Sequence, residues 1–177
     1  SWAIVTGASS GIGKEFARQL AHNGLNLVLI ARRRHLLEAL GQELANTYHI
    51  NYHIIDVDLT DENFLEKITD VTRHLEIGLV ISNAGAGNPG AFLTIPQNTL
   101  HRIVRLNVLA HLTMTHHFAQ VLAKRGHGGI ILISAMGAMH GIPYMANDAA
   151  TKAYLVSLGR GLNAELKDKG VHISVIM

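Results

Sequence analysis

Cysteine is absent from the 177 residues, which excludes disulfides, thiol catalysis and cysteine-held metals and fits a reducing interior, with cytoplasm the expected address. Proline is scarce at 3 residues, and no low-complexity tract, internal repeat or interdomain linker interrupts the chain. The longest apolar stretches run to about six residues, far below the roughly 20 that a membrane helix needs, and no charged-then-apolar leader opens the sequence. Neither export nor membrane insertion is expected. Charge of one sign is missing too: 15 basic residues face 13 acidic ones, and no basic run exceeds Arg32-Arg33-Arg34, so nucleic acid is not an expected partner. What remains is a 48% hydrophobic, 16% charged chain, long enough for one globular domain over residues 1–177.

Histidine, by contrast, is plentiful at 12 residues and dense in His111-Leu-Thr-Met-Thr-His116-His117. Five-residue spacing puts His111 and His116 on different faces of a helix, and no acidic residue stands close in sequence, so no metal site is expected.

Short apolar runs alternate with segments of helical period. Ala3-Val5, Leu27-Ile30, Ile54-Val57, Leu79-Ile81, Ile130-Ile133 and Val171-Ile176 read as six strands. Runs apolar at nearly every position suit strands covered on both faces, as in a parallel sheet. Between them, Ile12, Phe16 and Leu20 form the expected buried stripe of a first helix that ends at Asn23-Gly24. Leu37, Leu40 and Leu44 mark a second helix. A third, with Asp61 as its expected cap, carries Phe64, Ile68, Val71 and Leu75; a long one from about Gln97 to Arg125 carries Leu100, Ile103, Val104, Val108 and Leu112. The expected architecture is α/β: a doubly wound parallel sheet in three αβα layers, the Rossmann fold.

Directly after the first strand comes Thr6-Gly-Ala-Ser-Ser-Gly-Ile-Gly13, and directly after that the first helix. Glycines at 7, 11 and 13 let backbone turn sharply and approach a ligand, while the helix start offers free N–H groups to a pyrophosphate. Strand before and helix after is the context that gives a glycine triplet its meaning.

This T-G-x-x-x-G-x-G spacing resembles the short-chain dehydrogenase/reductase family, classical type. Ser82-Asn83-Ala84-Gly85 is similar to the family's N-A-G motif, Asp58-Leu59 to its adenine-contacting pair, Asn107 to its helix asparagine and Lys152 to its active-site lysine. The resemblance runs from Ser1 to Met177. It implies a nicotinamide dinucleotide cofactor, bound by Gly7, Ser9, Ser10, Gly11, Ile12, Gly13, Asp58, Leu59, Asn83, Ala84, Gly85 and Lys152. An acidic residue after the second strand would bond the ribose hydroxyls of NAD; here stands Ala31-Arg32-Arg33-Arg34, and guanidinium forks at Arg32 and Arg33 suit the 2′-phosphate of NADP.

The resemblance also implies a carbonyl/alcohol oxidoreductase in which a tyrosine gives the proton, a lysine four residues on activates it, and a serine some thirteen residues earlier binds the carbonyl oxygen. With Lys152 as the lysine, the tyrosine position is Asp148 and the serine position Ala135. Asn107 and Lys152 thus remain while two partners are replaced. A carboxylate at neutral pH has no proton to give, and its charge opposes the alkoxide that builds on the substrate oxygen. Loss of the acid is expected to cost about 10²- to 10⁴-fold and loss of the oxygen-binding donor about 10²- to 10³-fold. A catalytically inactive cofactor-binding protein, acting as redox sensor or subunit partner, is the competing reading.

Tyr144 stands as a substitute phenol one turn early, Ser134 as a substitute hydroxyl on the opposite face of its strand, and His140 as another acid. Asp148 and Lys152 are expected to form an i,i+4 ion pair of about 0.2–0.5 kcal/mol if exposed. The family continues past the sixth strand with a Pro-Gly turn, a substrate-covering segment and a seventh strand, which the 177 residues do not reach. The helices around Asn107–Leu122 and Thr151–Leu166 resemble those that pair subunits in the family, the latter through Tyr154, Leu155, Leu158 and Leu162, so a homodimer or homotetramer is expected.

Overall fold

Six strands form one sheet in the computed structural model, which describes all residues 1–177. They are β1 (Trp2–Thr6), β2 (Asn26–Ala31), β3 (Tyr52–Asp56), β4 (Ile77–Ser82), β5 (Gly128–Ile133) and β6 (Val171–Ile176). Every pairing is parallel and the order is β3-β2-β1-β4-β5-β6. The apolar runs read from the sequence are these strands.

Chain progress reverses at the centre. From β1 the chain moves outward to β2 and β3, crosses back to β4, and then moves the other way to β5 and β6. Right-handed crossovers therefore put helices α1 (Gly11–His22) and α2 (Arg34–Tyr48) on one face of the sheet. The opposite face carries α3 (Phe64–Thr72), α4 (Gln97–Val104), α5 (Ala110–Arg125) and α6 (Ala146–Leu166). Alternation along each strand divides the core accordingly. Val5, Leu27 and Leu29 meet Ala17, Leu37, Leu40 and Leu44, while Ile4, Val28, Val80, Ile130 and Leu132 meet Ile68, Met114, Phe118 and Leu122. Gly159 lets α6 lie against β5 and β6, since a Cβ there would run into Val175 and Leu132.

Local chemistry ends the helices as expected in some places and not in others. Gly24, at φ 79°, closes α1, and its N–H bonds the Ala21 carbonyl. The cap of α3 is Asn63, not Asp61, and no side chain caps that helix end; Asp61 instead approaches Lys67 at 3.9 Å. In α1 the buried face is Gly13, Ala17 and Ala21, with Phe16 and Leu20 beside it. Ile12 is 58% exposed, correcting its expected place in the core. Small residues let α1 sit close on the sheet, which turns Ile12 toward the cleft at the strand ends. The long fourth helix also differs: Arg105–Leu109 is a π-helical turn between α4 and α5, so the apolar stripe shifts there and Asn107 becomes fully buried. No helix is long and apolar enough to cross a membrane.

Candidate functional site

The two halves of the sheet part at β1 and β4, and a cleft opens where their carboxyl ends diverge. Thr6, the last residue of β1, ties the parting strands together. Its hydroxyl donates to the Ile81 carbonyl at 3.4 Å and accepts the N–H groups of Asn83 and Ala84 at 2.9 and 3.0 Å. Asn83 answers by donating from Nδ2 to the Thr6 carbonyl at 3.0 Å. The glycine loop from β1 thereby lies against the loop from β4. Gly7 has φ 66°, and a Cβ on it would sit 2.7 Å from Asn83 Nδ2; one on Gly13 would sit 2.5 Å from the same atom. Only glycine allows this approach, and it leaves the start of α1 facing an open cradle.

That cradle is a cavity of about 490 Å³ lined by Gly7, Ser9, Ser10, Gly11, Ile12, Arg32, Arg33, Asp58, Leu59, Asn83, Ala84 and Gly85, among others. Residues from five separate segments of sequence are brought to one surface. Arg33 Nη2 donates to Ser9 Oγ at 3.0 Å and Ser10 Oγ at 3.2 Å, which lays a guanidinium along the glycine loop. Arg32 also lines the cavity and is engaged by no side chain, whereas Arg34 turns away to Glu38 and Asp56 at 2.8 and 2.9 Å.

At the far end Asp58 Oδ2 accepts from Arg102 Nη2 at 2.8 Å, and Oδ1 accepts from Thr60 N–H and hydroxyl at 2.9 and 2.7 Å. Burial alone would raise its pKa, but these donors outweigh it and bring the carboxyl down to about 2. Arg102, a lining residue that sequence reasoning missed, stands on the polar side of α4 and carried no motif of its own.

Beyond Asn83 and Gly85 the cleft continues as a second chamber of about 460 Å³, reaching Asn107, Ser134, Ala135, Asp148 and Lys152. Asn107 fastens the loop after β4: its Oδ1 accepts the Ala86 N–H at 3.0 Å, and Nδ2 donates to the Ala86 carbonyl and Thr151 Oγ1 at 2.8 and 3.1 Å. Lys152 Nζ donates to the Ile133 carbonyl at 3.1 Å, and burial lowers its pKa. Ser134 donates to the Lys152 carbonyl at 2.8 Å, so its hydroxyl serves the helix and is not free to bind a carbonyl oxygen beside Ala135.

Asp148 corrects the sequence expectation most clearly. It forms no ion pair with Lys152; its Oδ2 instead accepts the Asn88 N–H at 2.7 Å, from the loop after β4. The side chain is 7% exposed, in the first turn of α6, where the helix dipole favours a negative charge. Tyr144 fails as a substitute for a different reason. It precedes α6 in a left-handed conformation at φ 63°, is 70% exposed, and lines a neighbouring depression across Met145 and Asp148 from the chamber, not the chamber itself. His140 is exposed and outside the chamber.

His111 holds the loop after β4 to the end of that strand. Its Nε2 meets the Ala84 carbonyl at 2.7 Å and its Nδ1 the Ser82 hydroxyl at 2.7 Å. A carbonyl only accepts, so Nε2 carries the proton and Nδ1 accepts from Ser82. Burial first, and the Lys152 cation second, push its pKa down to about 4.

A phosphate-binding glycine cradle at the switch point of a parallel sheet, leading to a lysine and a buried asparagine, defines a nucleotide-dependent oxidoreductase fold. A family model described as short chain dehydrogenase matches residues 1–177, and the chain belongs to that family. It is 35% identical to the very-long-chain 3-oxoacyl-CoA reductase of Neurospora crassa, over 100% of this chain and 55% of that protein. The chain thus spans about half the length of that relative. Among solved structures, the bulky-bulky ketone specific alcohol dehydrogenase of Comamonas testosteroni superposes with TM-score 0.94 at 34% identity, covering 99% of this chain and 71% of that one. A short-chain dehydrogenase of Sphingobium yanoikuyae in complex with NADPH superposes with TM-score 0.94 at 31% identity, covering 98% and 68%. A nicotinamide dinucleotide is the family's cofactor, and the cradle, whose close loop packing at Gly7 and Gly13 leaves the start of α1 open beside Arg32 and Arg33, fits one.

The buried neutral imidazole makes stability depend on pH. Because the folded-state pKa of His111 lies below its ordinary 6.5, the unfolded chain binds the extra proton between about pH 6.5 and 4. The stabilisation is complete above that window and is lost as pH falls through it. Urea unfolding from pH 7.5 to 4 is expected to give a steeper loss for the native chain than for His111→Gln, and parallel curves would contradict this.

Proposed function

We propose that the protein is an NADP(H)-dependent oxidoreductase of the short-chain type, acting on a carbonyl/alcohol pair or its chemical equivalent through an altered site. The observation that carries it is the continuity of one cleft from Arg32 and Arg33, along the glycine loop, to Asn107 and Lys152. When bound, the cofactor would supply the hydride. The chain's residues do the rest: the α1 start and glycine loop hold pyrophosphate, Arg32, Arg33 and Ser9 supply donors for a 2′-phosphate, and Asp58 and Leu59 border the adenine end.

Asn107 keeps the β4 loop in place, while Lys152 offers an ammonium on the far wall. No hydroxyl of the chain is free to give a proton to an alkoxide here, since Asp148 is an acceptor, Ala135 is apolar and Ser134 is bonded away. That last arrangement favours a second reading, a cofactor-binding protein that senses the oxidised-to-reduced ratio without turnover.

Subunit pairing is part of the proposal. Tyr154, Leu158 and Leu162 line a shallow groove on the outer face of α6 with Ser157 and Gly161. Leu155, expected in that stripe, is wholly buried in the core instead. Light scattering on the whole protein should give a dimer or tetramer; a monomer at high micromolar concentration would remove the pairing.

Cofactor choice is tested by titrating the whole protein with NADPH and NADH while following nicotinamide fluorescence. NADPH should bind at least about tenfold more tightly, and Arg33→Ala should erase most of that difference by weakening NADPH more than NADH, as expected for one charge-assisted contact. Equal binding of both would reject the NADP reading. Binding of neither would reject the cofactor reading itself.

A further inference from the structure

Asp148 lines the chamber beside Lys152 with one carboxylate oxygen engaged and the other open. Asp148 is 7% exposed, its Oδ2 takes the Asn88 N–H, and its Oδ1 accepts no hydrogen bond from the protein. The surrounding wall is built largely from Ala135, Ala138, Ile142 and Met145. That oxygen is not sealed off, and in these largely apolar surroundings the partner it lacks is a donor that a ligand can bring. Lys152 is not that donor, because its ammonium turns to the Ile133 carbonyl on the other wall, beside Gly85.

We propose that this chamber takes a nitrogen substrate, an iminium or amine carrying an N–H on an apolar body, in place of a ketone or alcohol, with Asp148 Oδ1 as the acceptor of that N–H. The proposal rests on the oxidoreductase reading above. One change of ligand chemistry accounts for both departures from the family pattern. A ketone needs hydrogen-bond donors at its oxygen and a proton when the alkoxide forms, which is the work of the replaced tyrosine and serine. An iminium needs the opposite, an acceptor and a negative charge, and no proton donor at all.

Electron balance agrees. Hydride addition to the carbon of a protonated C=N bond forms one C–H bond and breaks the C=N π bond, whose pair stays on nitrogen as the neutral amine's lone pair. The two electrons come from reduced nicotinamide, and no proton is taken up. In the reverse direction, a neutral amine gives up hydride and leaves as the iminium. Asp148 remains a carboxylate throughout, its charge matched by the substrate cation on one side of the step. Asp148 and Lys152 are the only titratable side chains lining the chamber, so no other group competes for the role.

The test compares two ligands of one shape, tetrahydroisoquinoline, which is cationic at neutral pH and bears N–H donors, and isochroman, its neutral ether counterpart. Each is titrated calorimetrically into the whole protein saturated with NADP⁺. The amine should bind at least about tenfold more tightly than the ether, and Asp148→Asn should abolish that preference, as expected when a buried charged partner is removed. Asp148→Tyr with Ala135→Ser should turn the preference toward the ether. Equal affinity for the two ligands in the native protein, or a preference unchanged in Asp148→Asn, would overturn the proposal. NADP⁺ binding is measured first in every variant: its loss in the native protein means that the oxidoreductase reading has failed, and its retention in the variants shows that they are folded.

Discussion

The hydrogen bonds between Thr6 and the backbone of Asn83 and Ala84 hold the whole site together. They sit where two parallel strands part, and their shared acceptor belongs to the fully buried Thr6, which shelters them from solvent on the β1 side. Because Thr6 fixes the β4 loop beside β1, Gly7 and Gly13 come within reach of Asn83 and the α1 start is left open to a ligand. Because Asn83 is fixed, the next residues of its loop run past His111, Asn107 and finally Asp148. Each of those three side chains bonds the loop backbone, at Ala84, Ala86 and Asn88. A single loop therefore joins the cradle to the chamber, and both halves of the cleft depend on its path.

This loop explains why Asp148 behaves as it does. A carboxylate on the first turn of a helix, one turn before a lysine, has two ways to be satisfied. An i,i+4 pair on a solvated surface contributes only a few tenths of a kcal/mol. A buried carboxylate accepting a backbone N–H at 2.7 Å gains more, because the alternative is two unsatisfied groups. The tertiary bond wins and Lys152 is left to the Ile133 carbonyl. A carboxylate at this position thus also supports the loop after β4.

Much of this was legible in the sequence. Six apolar runs gave six strands because a sheet covered on both faces must be apolar at almost every residue. The glycine loop, Asn83, Asn107 and Lys152 stood at spacings that the fold brings to one cleft. What could not be read were features that depend on partners distant in sequence. Asn88 lies 60 residues from Asp148, and Ser82 lies 29 from His111. Periodicity misplaced Ile12, since a residue that faces a ligand cleft is as apolar as one that faces the core. The π turn around Asn107 left no trace in composition, although it is what turns that asparagine inward.

The central claim, proposed above, is that a nucleotide cradle stands beside a site that lacks the proton donor a ketone needs. It is tested most directly by single-turnover oxidation of NADPH with a bulky ketone, in the whole protein and in its Ala135→Ser, Asp148→Tyr double variant. The account predicts that the double variant is faster by roughly 10²- to 10⁴-fold, the range a positioned acid contributes. Ketone reduction by the native protein as fast as by the double variant would contradict it.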